Sequence, residues 1–142
     1  MARNYKKYTI YKEGYALVLQ LYSLTEKFPA HEHNNLISQI RRAAVSIPVN
    51  IAEGSAKKSS KEFLYFLNVA YASAKELAVL VDLSKDVKYI NTDDYKKISD
   101  QLDRFNSKIF LFIRHVEKEH IGKSGFFQKY KKKIEKDLKQ QP

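Results

Sequence analysis

The stretch Tyr95-Lys96-Lys97-Ile98-Ser99-Asp100-Gln101-Leu102-Asp103-Arg104-Phe105-Asn106-Ser107-Lys108-Ile109-Phe110-Leu111-Phe112-Ile113-Arg114-His115-Val116 decides the fold class. Within it Tyr95, Ile98, Leu102, Phe105, Ile109, Phe112 and Val116 recur at alternating spacings of three and four. That is the period of one face of a helix, and a strand would need strict alternation. On its N-terminal side Asn91-Thr92-Asp93-Asp94 reads as a turn and a helix cap. On its C-terminal side a tail begins at His120, punctuated by Gly122 and Gly125. Phe126, Phe127, Tyr130, Ile134 and Leu138 are expected to line one side of a short helix there, which alone would be marginal.

Working further outward, glycine and proline are scarce, and Pro29, Pro48, Gly14 and Gly54 are the breakers before the last helix. The first helix is expected from about Tyr8 to Phe28, ended by Pro29. Its core stripe is expected to be Tyr8, Tyr11, Tyr15, Val18, Tyr22 and Thr25, with Leu17, Leu21, Leu24 and Phe28 as a second stripe beside it. The second starts at Asn34 or Asn35 as cap and carries Ile37, Ile40, Ala44, Ile47, Ile51 and Gly54 on one face. Pro48 lies inside it and predicts a bend without a break, with Ser46 or Asn50 helping to satisfy the freed carbonyl of Ala44. After the basic turn Ser55 to Ser60, whose last serines cap, the third helix runs to roughly Lys88. Phe63, Leu67, Ala70, Ala74, Leu77, Val81 and Ser84 form its face, and Leu64, Tyr71, Ala78 and Leu80 add apolar area. Four such helices with short connections predict an all-α, antiparallel up-and-down four-helix bundle. The extra apolar stripes predict side-by-side packing of subunits in a homo-oligomer.

The 142 residues fit one domain, with the bundle over 1–119 and a basic tail over 120–142. The chain has no cysteine, which excludes disulfides, thiolate metal sites and cysteine nucleophiles and suits a reducing cytoplasm. No uninterrupted apolar run reaches the length of a membrane span, and the N-terminus lacks a signal-peptide pattern, so a cytoplasmic protein is expected. The net charge of +10 is unevenly placed: residues 1–12 hold Arg3, Lys6, Lys7 and Lys12 and no acid, residues 120–142 carry +5, and the 107 residues between carry only +1. A near-neutral body with basic ends is the pattern of contact with a polyanion, against which stands plain solubility.

The run Leu36-Ile37-Ser38-Gln39-Ile40-Arg41-Arg42-Ala43-Ala44-Val45-Ser46-Ile47-Pro48-Val49-Asn50-Ile51-Ala52-Glu53-Gly54, followed by Lys57, Lys58, Ser59, Lys61, Glu62 and Phe63, closely resembles one family's motif. It is the four-helix-bundle family encoded in intervening sequences of bacterial large-subunit ribosomal RNA genes, which includes the accessory variability determinant protein of diversity-generating retroelements. The resemblance covers roughly residues 5–119. It implies a homopentameric barrel of bundles with a basic surface, which in the retroelement branch binds nucleic acid and the cognate reverse transcriptase. The matching residues are Arg41, Arg42, Ser46, Pro48, Asn50, Glu53 and Gly54, and the family offers no catalytic residue to carry over. Of these, Ser46, Pro48, Asn50, Glu53 and Gly54 are taken as structural.

Arg3, Lys6, Lys7, Arg41, Arg42, Lys57, Lys58, Lys61, Lys129, Lys131, Lys132 and Lys133 are the candidate nucleic-acid contacts, since phosphate binding needs several cations and no exact geometry. For Arg41 and Arg42 the choice stays open between phosphate contact and structural ion pairs, such as one with Glu53 of a neighbouring chain. The first-helix tyrosines have the spacing of a core stripe, which outweighs base stacking. A di-metal bundle needs two Glu-x-x-His motifs and two further inward glutamates. Glu117 with His120 supplies a single one, and His31-Glu32-His33 lies in a loop. No metal or cofactor is therefore expected, and no phosphate loop or nucleophile elbow appears. The expected function is a non-catalytic RNA- or DNA-binding accessory protein partnered with itself and a reverse transcriptase. The alternative is a protein-protein adaptor or assembly module.

Overall fold

Backbone hydrogen-bonding needs explain where each helix starts and stops. The computed structural model describes residues 3–123, 132–133 and 135–140. Helices α1 (Thr9–Thr25), α2 (Leu36–Ser55), α3 (Ser60–Asp86) and α4 (Thr92–Lys123) follow in order, with 3-10 turns at Tyr5–Lys7 and Ala30–Glu32. No strand occurs among the described residues. Ser59 caps α3 as expected: its hydroxyl accepts from the Glu62 amide at 3.1 Å and donates to the Glu62 carboxylate at 3.1 Å. Asn91 does the same for α4, accepting from the Asp94 amide at 2.7 Å.

The cap of α2 differs from expectation. Asn35 occupies the cap position, but its amide donates to Glu32 Oε2 at 3.0 Å, and that same oxygen accepts from the Leu36 amide at 3.2 Å. A carboxylate reaching in from the preceding turn therefore satisfies the free N–H and the helix dipole together, which a neutral amide does less well. α1 also ends before Phe28, at Thr25, because Phe28 turns inward to pack on Tyr89, ring centroids 5.4 Å apart. α2 continues through Pro48 to Ser55. Asn50 donates to the Ser46 carbonyl at 2.7 Å and to the Ser46 hydroxyl at 2.9 Å, so it supports the turn around Pro48 through Ser46 and not through Ala44. α4 runs on past His120, through Gly122, to Lys123.

Each helix packs against its sequence neighbours, and α4 closes back on α1, the arrangement of an up-and-down bundle. The expected faces of α2 and α3 are buried, from Ile37 to Gly54 and from Phe63 to Ser84. On α4, Ile98, Leu102, Phe105, Ile109 and Val116 are buried, and Ile113 takes the place expected for Phe112, which is half-buried.

The first-helix stripe requires correction. The buried residues of α1 are Ile10, Gly14, Leu17, Leu21 and Thr25, while Tyr15 is 51% and Tyr22 41% exposed. The leucines win because a buried tyrosine needs a partner for its hydroxyl, and leucine needs none. Tyr8 and Tyr11 sit half-buried at the rim. Gly14 lets α1 approach α2, since a Cβ there lies 2.9 Å from Ile47 Cγ2. Gly54 is tighter, with a Cβ placed 2.7 Å from Phe66 Cβ and 3.0 Å from Phe63 Cδ2.

α3 is long and apolar enough, at a mean hydropathy of 1.3, to cross a membrane by length and composition. Its stripe is instead spent on the bundle core. It ends in a Schellman turn: the Tyr89 amide bonds to the Ser84 carbonyl at 2.8 Å and the Lys88 amide to the Lys85 carbonyl at 2.9 Å, with Lys88 at φ 68°. Two variants test this packing and this turn by denaturant midpoint at constant slope. Gly54→Ala is expected to lose about 1–3 kcal/mol through overpacking against Phe66. Lys88→Gly is expected to gain up to about 1 kcal/mol by removing the left-handed penalty.

Candidate nucleic-acid interface

The up-and-down order brings the N-terminal segment, the α2–α3 turn and the C-terminal part of α4 to one end of the bundle. Tyr8 carries the link, its ring 6.4 Å from Phe63 on α3 and 5.0 Å from Phe112 on α4. Burial pushes the Tyr8 hydroxyl above its ordinary pKa, opposed by the Arg3 charge, so it stays protonated in the physiological range. The short turn before it folds back through an edge-to-face contact of Tyr5 with Tyr11 at 4.9 Å. Arg3 then crosses to the α2–α3 turn, donates to the Lys57 carbonyl at 2.6 Å and lies 4.5 Å from the centre of the Phe63 ring.

Arg3, Lys6, Lys7, Lys57, Lys58 and Lys61 are thereby gathered at this end. Arg3 is fixed by its bond and ring contact, and Lys57 rests over Phe66 at 5.3 Å. Lys6, Lys7, Lys58 and Lys61 are exposed. The N-termini of α1 and α3 point the same way, but the C-termini of α2 and α4 lie at the same end and offset their dipoles, so the positive charge here comes from the side chains. Lys132 and Lys133 are exposed in the tail, while Lys129 and Lys131 lie outside the described residues.

Arg41 and Arg42 do not join this cluster. From Arg42 to the end of α2 at Ser55 is about 20 Å at 1.5 Å per residue. Arg41 Nε donates to Thr25 Oγ1 at 3.0 Å, its NH2 lies 3.4 Å from the Tyr22 carbonyl and 3.6 Å from Glu26, and its guanidinium covers the Tyr22 ring at 4.5 Å. A cation set against the last carbonyls of α1 is a helix C-terminal clamp. Arg42 is exposed, about 100° around the helix from Arg41.

The Ser46 and Ser73 hydroxyls meet at 2.8 Å across the α2–α3 seam, Pro48 and Gly54 are buried, and Glu53 is exposed. At the opposite end of the bundle Glu32 is the node that residue spacing did not disclose. Besides capping α2 it accepts from the Tyr89 hydroxyl at 3.1 Å, and His31 Nε2 lies 3.7 Å away. Its nearest sequence signal is an acid four residues before the helix. Among the described residues no three His, Asp or Glu side chains converge as metal ligands.

Among the described residues, open grooves flank the bundle faces, three of them between helices, and a fourth of about 470 Å³ lies beside Thr25, Phe28 and Arg41. One, about 290 Å³, is apolar and formed by Tyr5, Tyr11, Tyr15 and Val18 against Val45, Pro48, Val49 and Ala52. A second, about 500 Å³ between α1 and α4, has Lys27, Lys97 and Arg104 against Asp94. The third lies between α3 and α4, about 380 Å³, with Tyr71, Lys75, Asn106 and Phe110.

Residues 6–110 match the model of a family described as 23S rRNA-intervening sequence protein. Among solved structures, a protein of unknown function from the S23 ribosomal protein family of Bacteroides thetaiotaomicron VPI-5482 is similar in fold. It has 23% identity, a TM-score of 0.68, and coverage of 74% of this chain and 98% of that one. No curated protein matches.

The Leu36 amide, followed by the Tyr89 and Asn35 bonds and the His31 charge, holds the Glu32 carboxyl below its ordinary value against opposing desolvation. Because the folded pKa is the depressed one, the stabilisation is complete above the unfolded value near 4.5 and is lost as pH falls below it. Melting temperatures across pH should therefore place Glu32→Gln below the native chain at neutral pH and bring the two together in acid. A gap independent of pH is incompatible with this account.

Proposed function

The chain belongs to the family of 23S rRNA-intervening sequence proteins, and on that premise we propose that it is a non-catalytic accessory protein that binds nucleic acid through the basic end of its bundle. The observation that carries this reading is the gathering of Arg3, Lys6, Lys7, Lys57, Lys58 and Lys61 from two distant stretches of chain at one end, four of them with exposed side chains. The mechanism is charge neutralisation: lysines facing a phosphate backbone release its condensed counterions, so affinity depends steeply on salt and weakly on sequence. Arg41 is assigned to holding α1 on α2, which removes it from the phosphate-binding set, and Arg42 lies on a different part of the surface from the basic end.

We take the working form to be a homo-oligomer, pentameric as the family resemblance implies, acting in the cytoplasm beside a reverse transcriptase. The groove of Tyr11, Tyr15, Val18, Val45 and Val49 supports self-association, since it is apolar and has no charged lining residue. The same groove favours the second reading, a protein-protein adaptor whose charge serves solubility.

A salt titration against single-stranded RNA and duplex DNA, with mass by light scattering in the same buffers, separates the two. On the first reading log affinity falls linearly with log salt. Replacing Lys6, Lys7, Lys58 and Lys61 by glutamine then lowers that slope by about 3 to 4, at roughly 0.7–0.9 per lost phosphate contact. Binding unaffected by salt, or by the four substitutions, transfers the role to the adaptor.

A further inference from the structure

Asn106 is 8% exposed on α4, yet its Oδ1 is enclosed and accepts no hydrogen bond. An unpaired buried carbonyl destabilises a fold by about 1–3 kcal/mol. Position 106 flanks the stripe of Phe105 and Ile109, where an apolar side chain would pack without that penalty. The amide lines the α3–α4 groove. Beside it the rings of Tyr71 and Phe110 lie 6.4 Å apart at 46° to one another, and Phe110 is 45% exposed. Lys75 stands 5.3 Å over the Tyr71 ring and Arg114 lies 5.8 Å from the Phe110 ring. No acid is among the residues that line the groove, and at its margin Arg114 lies 4.0 Å from Glu117 in an exposed pair that a phosphate would have to displace.

A hydrogen-bonding amide, an exposed aromatic face and two cations are the three elements by which a protein holds an unpaired base: edge, stack and phosphate. From this we infer that the α3–α4 groove binds an unpaired adenine of a single-stranded nucleic acid. The base stacks on Phe110, Lys75 and Arg114 take the flanking phosphates, and the Asn106 amide turns into the groove. There its carbonyl accepts from the exocyclic amino group while its NH2 donates to the adjacent ring nitrogen. An asparagine amide matches that pair of groups on adenine, which gives the base its preference. This site rests on the nucleic-acid reading of the basic end but is distinct from it, because it reads a base and the lysines read only charge. The apolar α1–α2 groove lacks cations and an unpaired amide, which leaves it to self-association.

The test measures the full chain by fluorescence anisotropy against a labelled oligoadenylate, an abasic strand of equal length and a duplex of equal length. Variants Asn106→Leu and Phe110→Ala are compared with the native protein, and each preparation is weighed by light scattering. The native protein is expected to bind oligoadenylate roughly tenfold tighter than the abasic strand, and each variant is expected to lose roughly that factor while duplex binding stays unchanged. Asn106→Leu is also expected to unfold no earlier than the native chain, so its loss of binding cannot come from loss of fold. Equal affinity of the native protein for oligoadenylate and the abasic strand overturns the proposal, as do variants that bind oligoadenylate normally. A change of oligomer mass in either variant overturns it in favour of an interface between copies. Duplex binding that survives these failures leaves the basic-end reading standing, whereas binding to none of the three probes overturns both.

Discussion

The position of α2 between α1 and α3 is the constraint on which the rest of the structure depends. A helix packed on two sides needs small residues where its neighbours come closest, and here these are Gly14 on α1, Gly54 at the end of α2 and the buried alanines Ala43, Ala44, Ala70 and Ala74. Close approach at these points brings Ile47, Ile51, Phe63, Leu67 and Phe105 into full burial, each stabilising by about 1.5–3 kcal/mol. The surface ion pairs are minor by comparison: exposed pairs such as Arg114 with Glu117 contribute about 0–1 kcal/mol. The core therefore determines the fold, and the charges are free to be arranged for other purposes.

Periodicity read the helices well because burial and helical phase agree over most of the chain. On α3 the expected face from Phe63 to Ser84 is buried, and of the additional apolar residues Leu80 joins it. On α1 two apolar stripes lay side by side, and periodicity alone ranks them equally. The choice was made by the tyrosine hydroxyls, which favour the rim, and by Gly14, whose close contact with Ile47 depends on a partner helix that residue spacing cannot display. The cap of α2 was misread for a similar reason. Asparagine is a good cap in isolation, but Glu32 is held in place by Tyr89 from the α3–α4 turn, a contact spanning 57 residues of chain.

Topology also governs the charge pattern. Residues that open the chain and residues that follow α2 become neighbours only because alternate helices run antiparallel. Lys7 and Lys58 thus reach one end from distant stretches, although nothing in their local sequence couples them. The length of α2 keeps Arg42 about 20 Å from the turn that carries Lys57, although both are candidate cations of neighbouring sequence. A cation's neighbours then divide the set. Arg41 faces a helix C-terminus, a hydroxyl and an aromatic ring and acts on the fold, whereas Lys6, Lys7, Lys58 and Lys61 extend from the end of the bundle into solvent.

Polar groups inside the bundle obey a stricter rule than the charges outside it. Thr25 is buried, but its hydroxyl donates to the Leu21 carbonyl at 2.7 Å and accepts from Arg41, and Ser84 donates to the Leu80 carbonyl at 2.7 Å. Each buried hydroxyl repays its desolvation locally, as interiors require. Asn106 is the buried side chain, among the described residues, with an enclosed atom that departs from this rule. It does so on the edge of a groove bordered by an exposed phenylalanine and two cations. A core that satisfies its hydroxyls through neighbours one turn away has no internal use for an unpaired amide at that point. The unpaired Oδ1 supports a partner from outside the chain, and the stability forgone at Asn106 is the physical reason to look for it in the α3–α4 groove.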